Sequence, residues 1–143
     1  MSAREASPDR ATRHRVLIVD DEESMRLLLA RFLATVLKVE VTLAGTCEQA
    51  LRLAGNYAYD AILLDLLMPG IGGFEVLKEI RAATPNVATP VIIVSVLSDQ
   101  ETRDRCMAAG ANAYVVKPVE RNSLVATVKS QIAGRRKPRT RGN

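Results

Sequence analysis

Short apolar runs rich in β-branched residues alternate with helix-length segments along most of this chain. Five such runs are typical of strands and cover residues 16–19, 39–44, 61–65, 91–95 and 113–116. Three of them, VLIV, AILL and VIIV, are apolar at every position, as in strands that are covered on both faces. Strands that alternate with helices form parallel βαβ crossovers. The pattern therefore predicts an α/β fold in which a doubly wound, five-stranded parallel sheet carries five helices.

The size and the charge distribution narrow the class of protein further. A chain of 143 residues fits one domain with one hydrophobic core. The formal charge is +4, but five basic residues follow Gly134 and the residues before Val16 carry a net +2, which leaves −3 for residues 16–133. No apolar run reaches the roughly 18 residues of a membrane span, and residues 1–15 lack the apolar stretch of a signal peptide. We therefore expect a cytoplasmic protein with no membrane span.

Several helix boundaries carry their own signals. Thr46 with Gln49, and Ser98 with Glu101, have the spacing of a capping box, which predicts that helices begin there. The first helix is expected from Glu23 to about Leu37, and the sequence of this segment is more apolar than one buried stripe requires. We interpret the additional apolar residues as partly buried in the core and partly exposed as a surface that contacts a partner protein.

The two cysteines are expected to be free thiols. Cys47 and Cys106 are far apart in the sequence and belong to no CxxC or Cys/His pattern. Each stands in a helix-like segment, where cysteine acts as a small hydrophobic residue.

Three acidic residues stand where predicted strands end. Asp20 and Asp21 follow the first strand, and Asp65 ends the third. In an open parallel sheet, ligands bind beyond the carboxyl ends of the strands, so these side chains should share one edge. Three neighbouring carboxylates repel one another, and their hard oxygen atoms suit Mg²⁺ or Mn²⁺. The sequence therefore predicts a divalent metal site.

Two further polar residues could enter the same edge. Lys117 follows the fifth strand, and with a divalent ion it would balance the three carboxylates. Such a near-neutral site could receive a phosphoryl group, which carries about −1.5 to −2 as a dianion, and Asp65 could attack its phosphorus. Ser95 ends the fourth strand, where its hydroxyl could donate a hydrogen bond to a phosphoryl oxygen.

Each of these residues also has an ordinary structural interpretation. Asp20 and Asp21, with the two glutamates after them, could form a favourable negative first turn of a helix. Asp65 could be a turn former, Lys117 a surface residue, and Ser95 a hydrogen-bonded strand end. The coincidence of all four positions at one edge of one sheet favours the functional interpretation.

The segments that carry these residues resemble the bacterial response-regulator receiver family. The likeness covers residues 15–133 through VLIVDDEESMR, DAILLDLLMPGIGGFEVLKEIR, PVIIVSV and GANAYVVKP. The resemblance implies a flavodoxin-like sheet with strand order 2-1-3-4-5. It also implies a receiver domain at 15–133, between a flexible N-terminal segment at 1–14 and a basic, disordered tail at 134–143.

The same resemblance assigns expected roles to residues. Asp65 would be the phosphoacceptor. Asp20, Asp21 and Asp65 would hold Mg²⁺ or Mn²⁺, with the backbone carbonyl of Leu67 as a further ligand. The resemblance also implies a phosphoryl contact for Lys117, a switch pair of Ser95 and Tyr114, and a cis peptide bond before Pro118.

A receiver of this kind is a phosphorylation switch, and not an enzyme, although it assists its own Mg²⁺-dependent phosphorylation and dephosphorylation. The resemblance implies a sensor histidine kinase or a histidine phosphotransfer protein as the phosphodonor, with docking at the first helix. No output domain is expected after residue 133, so the chain would be a single-domain regulator that signals to an unknown effector protein. A phosphorylation-dependent homodimer is a further expectation.

Some positions depart from the family pattern. Gly72 replaces a common Asp and is expected to act as a helix N-cap. Val96 follows Ser95 where Ala or Gly is commoner, so it could narrow access to the phosphoryl group, and Val119 replaces a frequent Phe. Leu67 and Leu97 are expected to flank the site. Because neither can hydrogen-bond an attacking water, we expect slow self-dephosphorylation.

Other function classes fit less well. A phosphatase of the haloacid dehalogenase type needs a second Asp two residues after its nucleophile, where this chain has Leu67. A nucleotide-binding domain needs a Gly-rich loop where DDEE stands. The tail RRKPRTR could contact nucleic acid phosphates, but a solvated tail explains it better. A degenerate receiver that signals by protein contact alone would not need the acidic pair, Asp65, Ser95 and Lys117.

Overall fold

The computed structural model describes residues 13–136. The strands are β1 (His14–Val19), β2 (Val39–Ala44), β3 (Ala61–Leu64), β4 (Val91–Ser95) and β5 (Ala113–Val116). The helices are α1 (Glu23–Ala34), α2 (Cys47–Asn56), α3 (Gly72–Ala83), α4 (Gln100–Ala108) and α5 (Arg121–Arg136). Helix α5 continues past the predicted domain end at residue 133. Of the segments predicted to be flexible (1–14) and disordered (134–143), residues 1–12 and 137–143 lie outside the described residues, whereas His14 begins β1 and residues 134–136 belong to α5.

The strands form one parallel sheet in the order β2-β1-β3-β4-β5, which confirms the predicted fold class and strand order. Val19, near the end of β1, pairs with Ala44 of β2 on one side and with Leu64 of β3 on the other. On the opposite side of the sheet from β2, the last residue of β4, Ser95, pairs with the last residue of β5, Val116. The register therefore brings the carboxyl ends of all five strands to one edge.

The core forms two layers, one on each face of the sheet. Along β1, Leu17 and Val19 face the layer with α2 and α3, while Val16 and Ile18 face the layer with α1 and α5. All four side chains are at most 1% exposed, because helices cover both faces. Full burial of such a side chain contributes about 1.5 to 3 kcal/mol, so the central strands are held firmly and the loops at their ends start from fixed positions.

Two helix boundaries differ from the prediction. Helix α1 ends at Ala34 instead of about Leu37. At its C-cap the hydroxyl of Thr35 donates to the carbonyl of Phe32 at 2.7 Å, and such local side-chain bonds to the backbone compete with continuation of a helix. The N-cap of α4 is Asp99 and not Ser98; its carboxylate accepts from the amide of Thr102 at 3.0 Å and from its hydroxyl at 2.8 Å. A carboxylate has the advantage at a helix N-terminus, because its negative charge faces the positive end of the helix dipole.

The predicted N-cap of α2 is confirmed, since the Thr46 hydroxyl accepts from the amide of Gln49 at 3.1 Å. The Gln49 side chain accepts in return from the amide of Gly45 at 2.9 Å, one residue before the usual capping-box donor. The expected N-cap role of Gly72 is wrong. Gly72 is the first residue of α3 and has a φ of 85°, a left-handed conformation that strains most L-residues and that glycine adopts readily.

Two other expectations agree with the structure. The peptide bond between Lys117 and Pro118 is cis. Cys47 and Cys106 are buried free thiols. Within residues 13–136, no helix is both long and apolar enough to cross a bilayer.

Candidate metal centre

Three carboxylates come together at the carboxyl-end edge of the sheet. Asp20 and Asp21 follow β1, Asp65 follows β3, and one oxygen from each lies within 4.8 Å of the others. Asp20 is 1% exposed and Asp65 4% exposed, whereas Asp21 is exposed. The group is therefore anchored inside the protein and reaches solvent on the Asp21 side.

Asp20 is held at each of its polar atoms. Its amide donates to the carbonyl of Ala44 at 3.1 Å, and its own carbonyl accepts from Nη1 of Arg26 at 2.7 Å. In the side chain, Oδ1 accepts from the amide of Glu22 at 2.9 Å, and Oδ2 accepts from Nζ of Lys117 at 2.9 Å. This carboxylate has a fixed position before any ligand binds.

Asp65 is buried with fewer partners. Its amide donates to the carbonyl of Val19 at 3.0 Å, Oδ1 accepts from the amide of Leu67 at 3.3 Å, and Oδ2 lies 3.5 Å from Nζ of Lys117. Burial raises the pKa of Asp65, the charge of Lys117 lowers it and the charge of Asp20 raises it, with a net upward shift. The ionised form of Asp65 is therefore disfavoured in the protein alone, and a cation beside it would favour ionisation.

Lys117 bridges the two buried carboxylates. Burial would lower the pKa of its ammonium, but the hydrogen bond to Asp20 and the charge of Asp65 raise it, and the net shift is upward. Lys117 thus stays charged at neutral pH. One ammonium and three ionised carboxylates leave a net charge of −2 on these four groups. A donor set of carboxylate oxygens with this charge fits a hard divalent ion such as Mg²⁺.

A cleft of about 260 Å³ opens over the carboxylates. Its lining residues are Asp21, Glu22, Asp65, Leu67, Val96 and Lys117. The side chains of Leu67 and Val96 form an apolar rim and are 51% and 56% exposed. Leu97 was expected beside Leu67, but it is half-buried and packs against the core, so that Val96 takes the rim position. The direction of the Leu67 carbonyl as a metal ligand stays a prediction.

Ser95 and Tyr114, the two predicted switch residues, meet at a common neighbour. Ser95 is fully buried and its Oγ accepts from the amide of Leu97 at 3.1 Å. Tyr114 is half-buried on β5 and its hydroxyl donates to the carbonyl of Leu97 at 2.8 Å. The guanidinium of Arg103 lies 4.9 Å from the centre of the Tyr114 ring. Both hydroxyls thus contact the β4–α4 loop, and neither residue is among those that line the cleft.

Gly73, in the first turn of α3, packs directly on the backbone that carries Asp65. Its amide donates to the carbonyl of Leu66 at 3.0 Å, and a Cβ added at Gly73 would clash with the backbone oxygen of Asp65. No side chain fits in that space. The sequence reasoning missed this contact, although the paired glycines of PGIGG were a visible signal.

Arg26 is the second functional contact that the sequence reasoning missed. Its bond to the carbonyl of Asp20 joins the first turns of α1 to the acidic loop. An arginine shortly after DDEE was the available signal, but sequence alone does not tell whether its side chain turns toward the carboxylates, toward the backbone or toward solvent.

Comparison with known proteins agrees with this geometry. The family described as "Response regulator receiver domain" matches residues 16–129. Among curated proteins, the chain is 32% identical over 123 residues to response regulator GacA of Pseudomonas aeruginosa, which covers 85% of this chain and 56% of GacA. The chain spans about half the length of GacA and of other regulators that it matches.

Solved structures share the fold closely. A CheY-like receiver domain protein from Methanospirillum hungatei superposes with a TM-score of 0.81 and 27% identity, covering 88% of this chain and 98% of the other. The receiver domain of sensor histidine kinase PA1611 from Pseudomonas aeruginosa superposes with a TM-score of 0.77 and 30% identity, covering 85% and 99%. That domain is described with a magnesium ion coordinated in its active site cleft.

Proposed function

Since the chain belongs to the response regulator receiver domain family, we propose that it is a switch in which Asp65 accepts a phosphoryl group in the presence of Mg²⁺ or Mn²⁺. The family is that of phosphoacceptor domains of two-component systems. The observation that carries the proposal is the convergence of Asp20, Asp21, Asp65 and Lys117 beside one cleft, which all but the buried Asp20 line.

The residues divide the work of phosphoryl transfer. An Asp65 carboxylate oxygen attacks phosphorus, a P–O bond forms, and the bond from phosphorus to the donor's imidazole nitrogen breaks. The imidazole leaves with the electron pair. Asp20, Asp21 and Asp65 would hold the cation, with the Leu67 carbonyl as a further ligand, and the cation would supply charge neutralisation for the incoming phosphoryl oxygens. Lys117 is placed to donate a hydrogen bond to an oxygen of the phosphoryl group on Asp65, because its ammonium already contacts the Asp65 carboxylate.

The signal would leave the site through Ser95 and Tyr114. A phosphoryl oxygen on Asp65 can accept a hydrogen bond from the Ser95 hydroxyl, which at present accepts from the amide of Leu97. Because the Tyr114 hydroxyl also holds Leu97, a movement of Ser95 changes the β4–α4 loop and the tyrosine together. Phosphorylation then shifts the population between two arrangements of this loop.

Partners follow from the same role. The donor would be a sensor histidine kinase or a histidine phosphotransfer protein, docked beside the cleft at α1, where Leu27 is 49% exposed. An effector protein would read the changed surface around α4 and β5, and phosphorylation could also favour a homodimer. This role implies a cytoplasmic location and no activity on another substrate beyond self-phosphorylation and self-dephosphorylation.

The decisive experiment is incubation with Mg²⁺ and acetyl phosphate, followed by intact-mass measurement. We expect the wild type to gain the mass of one phosphoryl group and to gain none when a chelator removes Mg²⁺. Asp65→Asn should gain none under any condition. Asp104→Asn is a matched control at an exposed aspartate of α4 and should behave as the wild type. A wild-type protein that stays unmodified would indicate a degenerate receiver that signals by contact alone.

A further inference from the structure

Arg26 contacts the acidic loop without being one of its carboxylate partners. Its Nη1 donates to the backbone carbonyl of Asp20, and no hydrogen bond joins it to a carboxylate of the site within the described residues. We propose that Arg26 is a positioning residue for the metal site, which holds the peptide unit between Asp20 and Asp21. This inference rests on the proposed function, because it assumes that the carboxylates bind a divalent ion.

The guanidinium has a defined seat against Gly45, in the loop between β2 and α2. A Cβ added at Gly45 would lie 2.8 Å from Nη1 of Arg26 and 3.2 Å from its Cζ. The Gly45 amide is itself fixed, since it donates to the side chain of Gln49 at 2.9 Å. The side chain of Arg26 is half-buried between this loop and the carbonyl of Asp20. Only a glycine leaves the space that this arrangement uses.

Asp21 is the residue that needs such help. Asp20 is fixed by contacts at both carboxylate oxygens, but no described donor reaches the carboxylate of Asp21, which is exposed. Its position therefore depends on the backbone that carries it. The peptide unit before Asp21 contains the Asp20 carbonyl, and a guanidinium bonded to that oxygen resists rotation of the unit. Arg26 thereby keeps Asp21 within reach of Asp65 before a cation arrives.

Positioning and simple electrostatics predict opposite effects. Arg26 carries a positive charge against the backbone of the acidic loop, so charge alone would weaken Mg²⁺ binding. Loss of Arg26 would then tighten binding. If Arg26 orients the carboxylates, its loss weakens binding instead, as loss of residues that orient metal ligands does by about 10- to 100-fold. Because the two effects oppose each other, we expect a loss of about tenfold, at the lower end of that range.

The test is calorimetric titration of the full chain with Mg²⁺ alone, with the folded fraction of each variant checked by circular dichroism and urea unfolding. Arg26→Met removes the guanidinium. Gly45→Ala leaves the charge but pushes the guanidinium from its seat, and it should cost little stability because only the end of a flexible side chain must move. Arg31→Met is the matched control, an exposed arginine in the last turn of the same helix.

We expect Arg26→Met to bind Mg²⁺ about tenfold more weakly, Gly45→Ala to be weakened in the same direction, and Arg31→Met to match the wild type. A loss of stability with unchanged Mg²⁺ affinity in Arg26→Met, or tighter binding, would overturn the proposal. Unchanged Mg²⁺ affinity in Gly45→Ala would show that the contact between Gly45 and the Arg26 guanidinium does not matter for metal binding. Asp21→Asn distinguishes a failure of the proposed metal site from a failure of the positioning role of Arg26. If this variant and the wild type bind Mg²⁺ equally, or if neither binds it, the proposed metal site is wrong.

Discussion

Two clusters of buried polar groups lie in this domain, and they are built in different ways. One is neutral and surrounds Asn86 in the α3–β4 loop. Its Nδ2 donates to the carbonyls of Ala54 and Tyr57, both at 2.7 Å. Its Oδ1 accepts from the amide of Tyr59 at 2.8 Å and from the hydroxyl of Thr89 at 3.0 Å. The Asn86 side chain thus uses its two donor hydrogens and accepts twice inside the protein.

The other cluster is the acidic site, where hydrogen bonds do not balance the charge. Lys117 pairs with Asp20 and Asp65, yet the three carboxylates retain a net −2 with it. The raised pKa of Asp65 reflects this burial of charge. A buried polar cluster in which every group is hydrogen-bonded holds loops together. A buried cluster with excess negative charge is instead suited to bind a cation. The comparison separates structural from functional burial in one small domain.

The largest expected effect on stability is at the neutral cluster. Asn86→Ala leaves the Tyr59 amide and the carbonyls of Ala54 and Tyr57 without their partner, while the Thr89 hydroxyl can still donate to the Tyr59 carbonyl at 3.1 Å. Each buried unsatisfied group costs about 1 to 3 kcal/mol. Because such costs do not add fully, we expect a loss of about 3 kcal/mol in the free energy of unfolding, measured by urea denaturation. Phosphorylation of the folded fraction by acetyl phosphate should be unchanged.

Asn56→Ala is the matched control for that change, because its Nδ2 donates to the carbonyl of Arg52 on an exposed helix surface. It should alter stability by less than about 0.5 kcal/mol. Equal losses in both variants, or loss of phosphorylation with Asn86→Ala in folded protein, would contradict the distinction between the clusters.

The acidic cluster should respond in the opposite direction. In metal-free protein the folded pKa of Asp65 lies above its ordinary value of 3.8, so the native state holds this proton more tightly than the unfolded chain. The contribution of Asp65 to stability is present at low pH and is lost as pH rises through the folded pKa. Asp65→Asn should therefore be more stable than the wild type at pH 7, and this advantage should shrink as the pH falls toward 4.

Chemical denaturation of both proteins in chelator across this pH range measures the effect. Lys117 should stay paired in the variant, because it also contacts Asp20, at 2.9 Å in the wild type. Added Mg²⁺ should stabilise the wild type more than Asp65→Asn. A variant less stable than the wild type at pH 7 without metal would show that Asp65 is needed by the fold.

A smaller effect is expected at the rim of the cleft. Leu67 offers no hydrogen bond to a water that attacks the acyl phosphate, so the phosphorylated form should be long-lived. Leu67→Asn should shorten the lifetime several-fold by intact-mass decay. Adding Leu97→Glu should shorten the lifetime further by less than a substitution at the rim of the cleft would, because Leu97 packs against the core. A lifetime that does not change with Leu67→Asn and Leu97→Glu together would contradict this explanation.

Much of the fold and the site could be predicted from local sequence. The short runs rich in apolar and β-branched residues predicted the five strands, with β3 ending at Leu64 immediately before Asp65. Because parallel strands place their carboxyl ends together, the acidic residues and Lys117 could be assigned to one edge. Their roles as ligands, phosphoacceptor and switch stay predictions, since geometry brings them together without showing the chemistry.

The remainder depended on contacts between distant segments. Asn86 reaches the α2–β3 loop, about 30 residues earlier, and nothing in the surrounding sequence indicates that its side chain points inward. The α4 N-cap depended on competition between two adjacent residues that can cap a helix, Ser98 and Asp99. The capping-box spacing to Glu101 favoured Ser98, but the charged Asp99 is the N-cap. The rim position of Val96, instead of Leu97, depends on how the β4–α4 loop turns after Ser95.

The contact between Gly73 and the backbone of Asp65 limits which parts of this site could be grafted onto another protein. The two parts lie within van der Waals reach only because residue 73 has no side chain. A designer who moved the three acids and the lysine onto another parallel sheet would copy the charges but not the support beneath the acceptor. The smallest portable unit is therefore the strand end together with the opening turn of the helix that follows it.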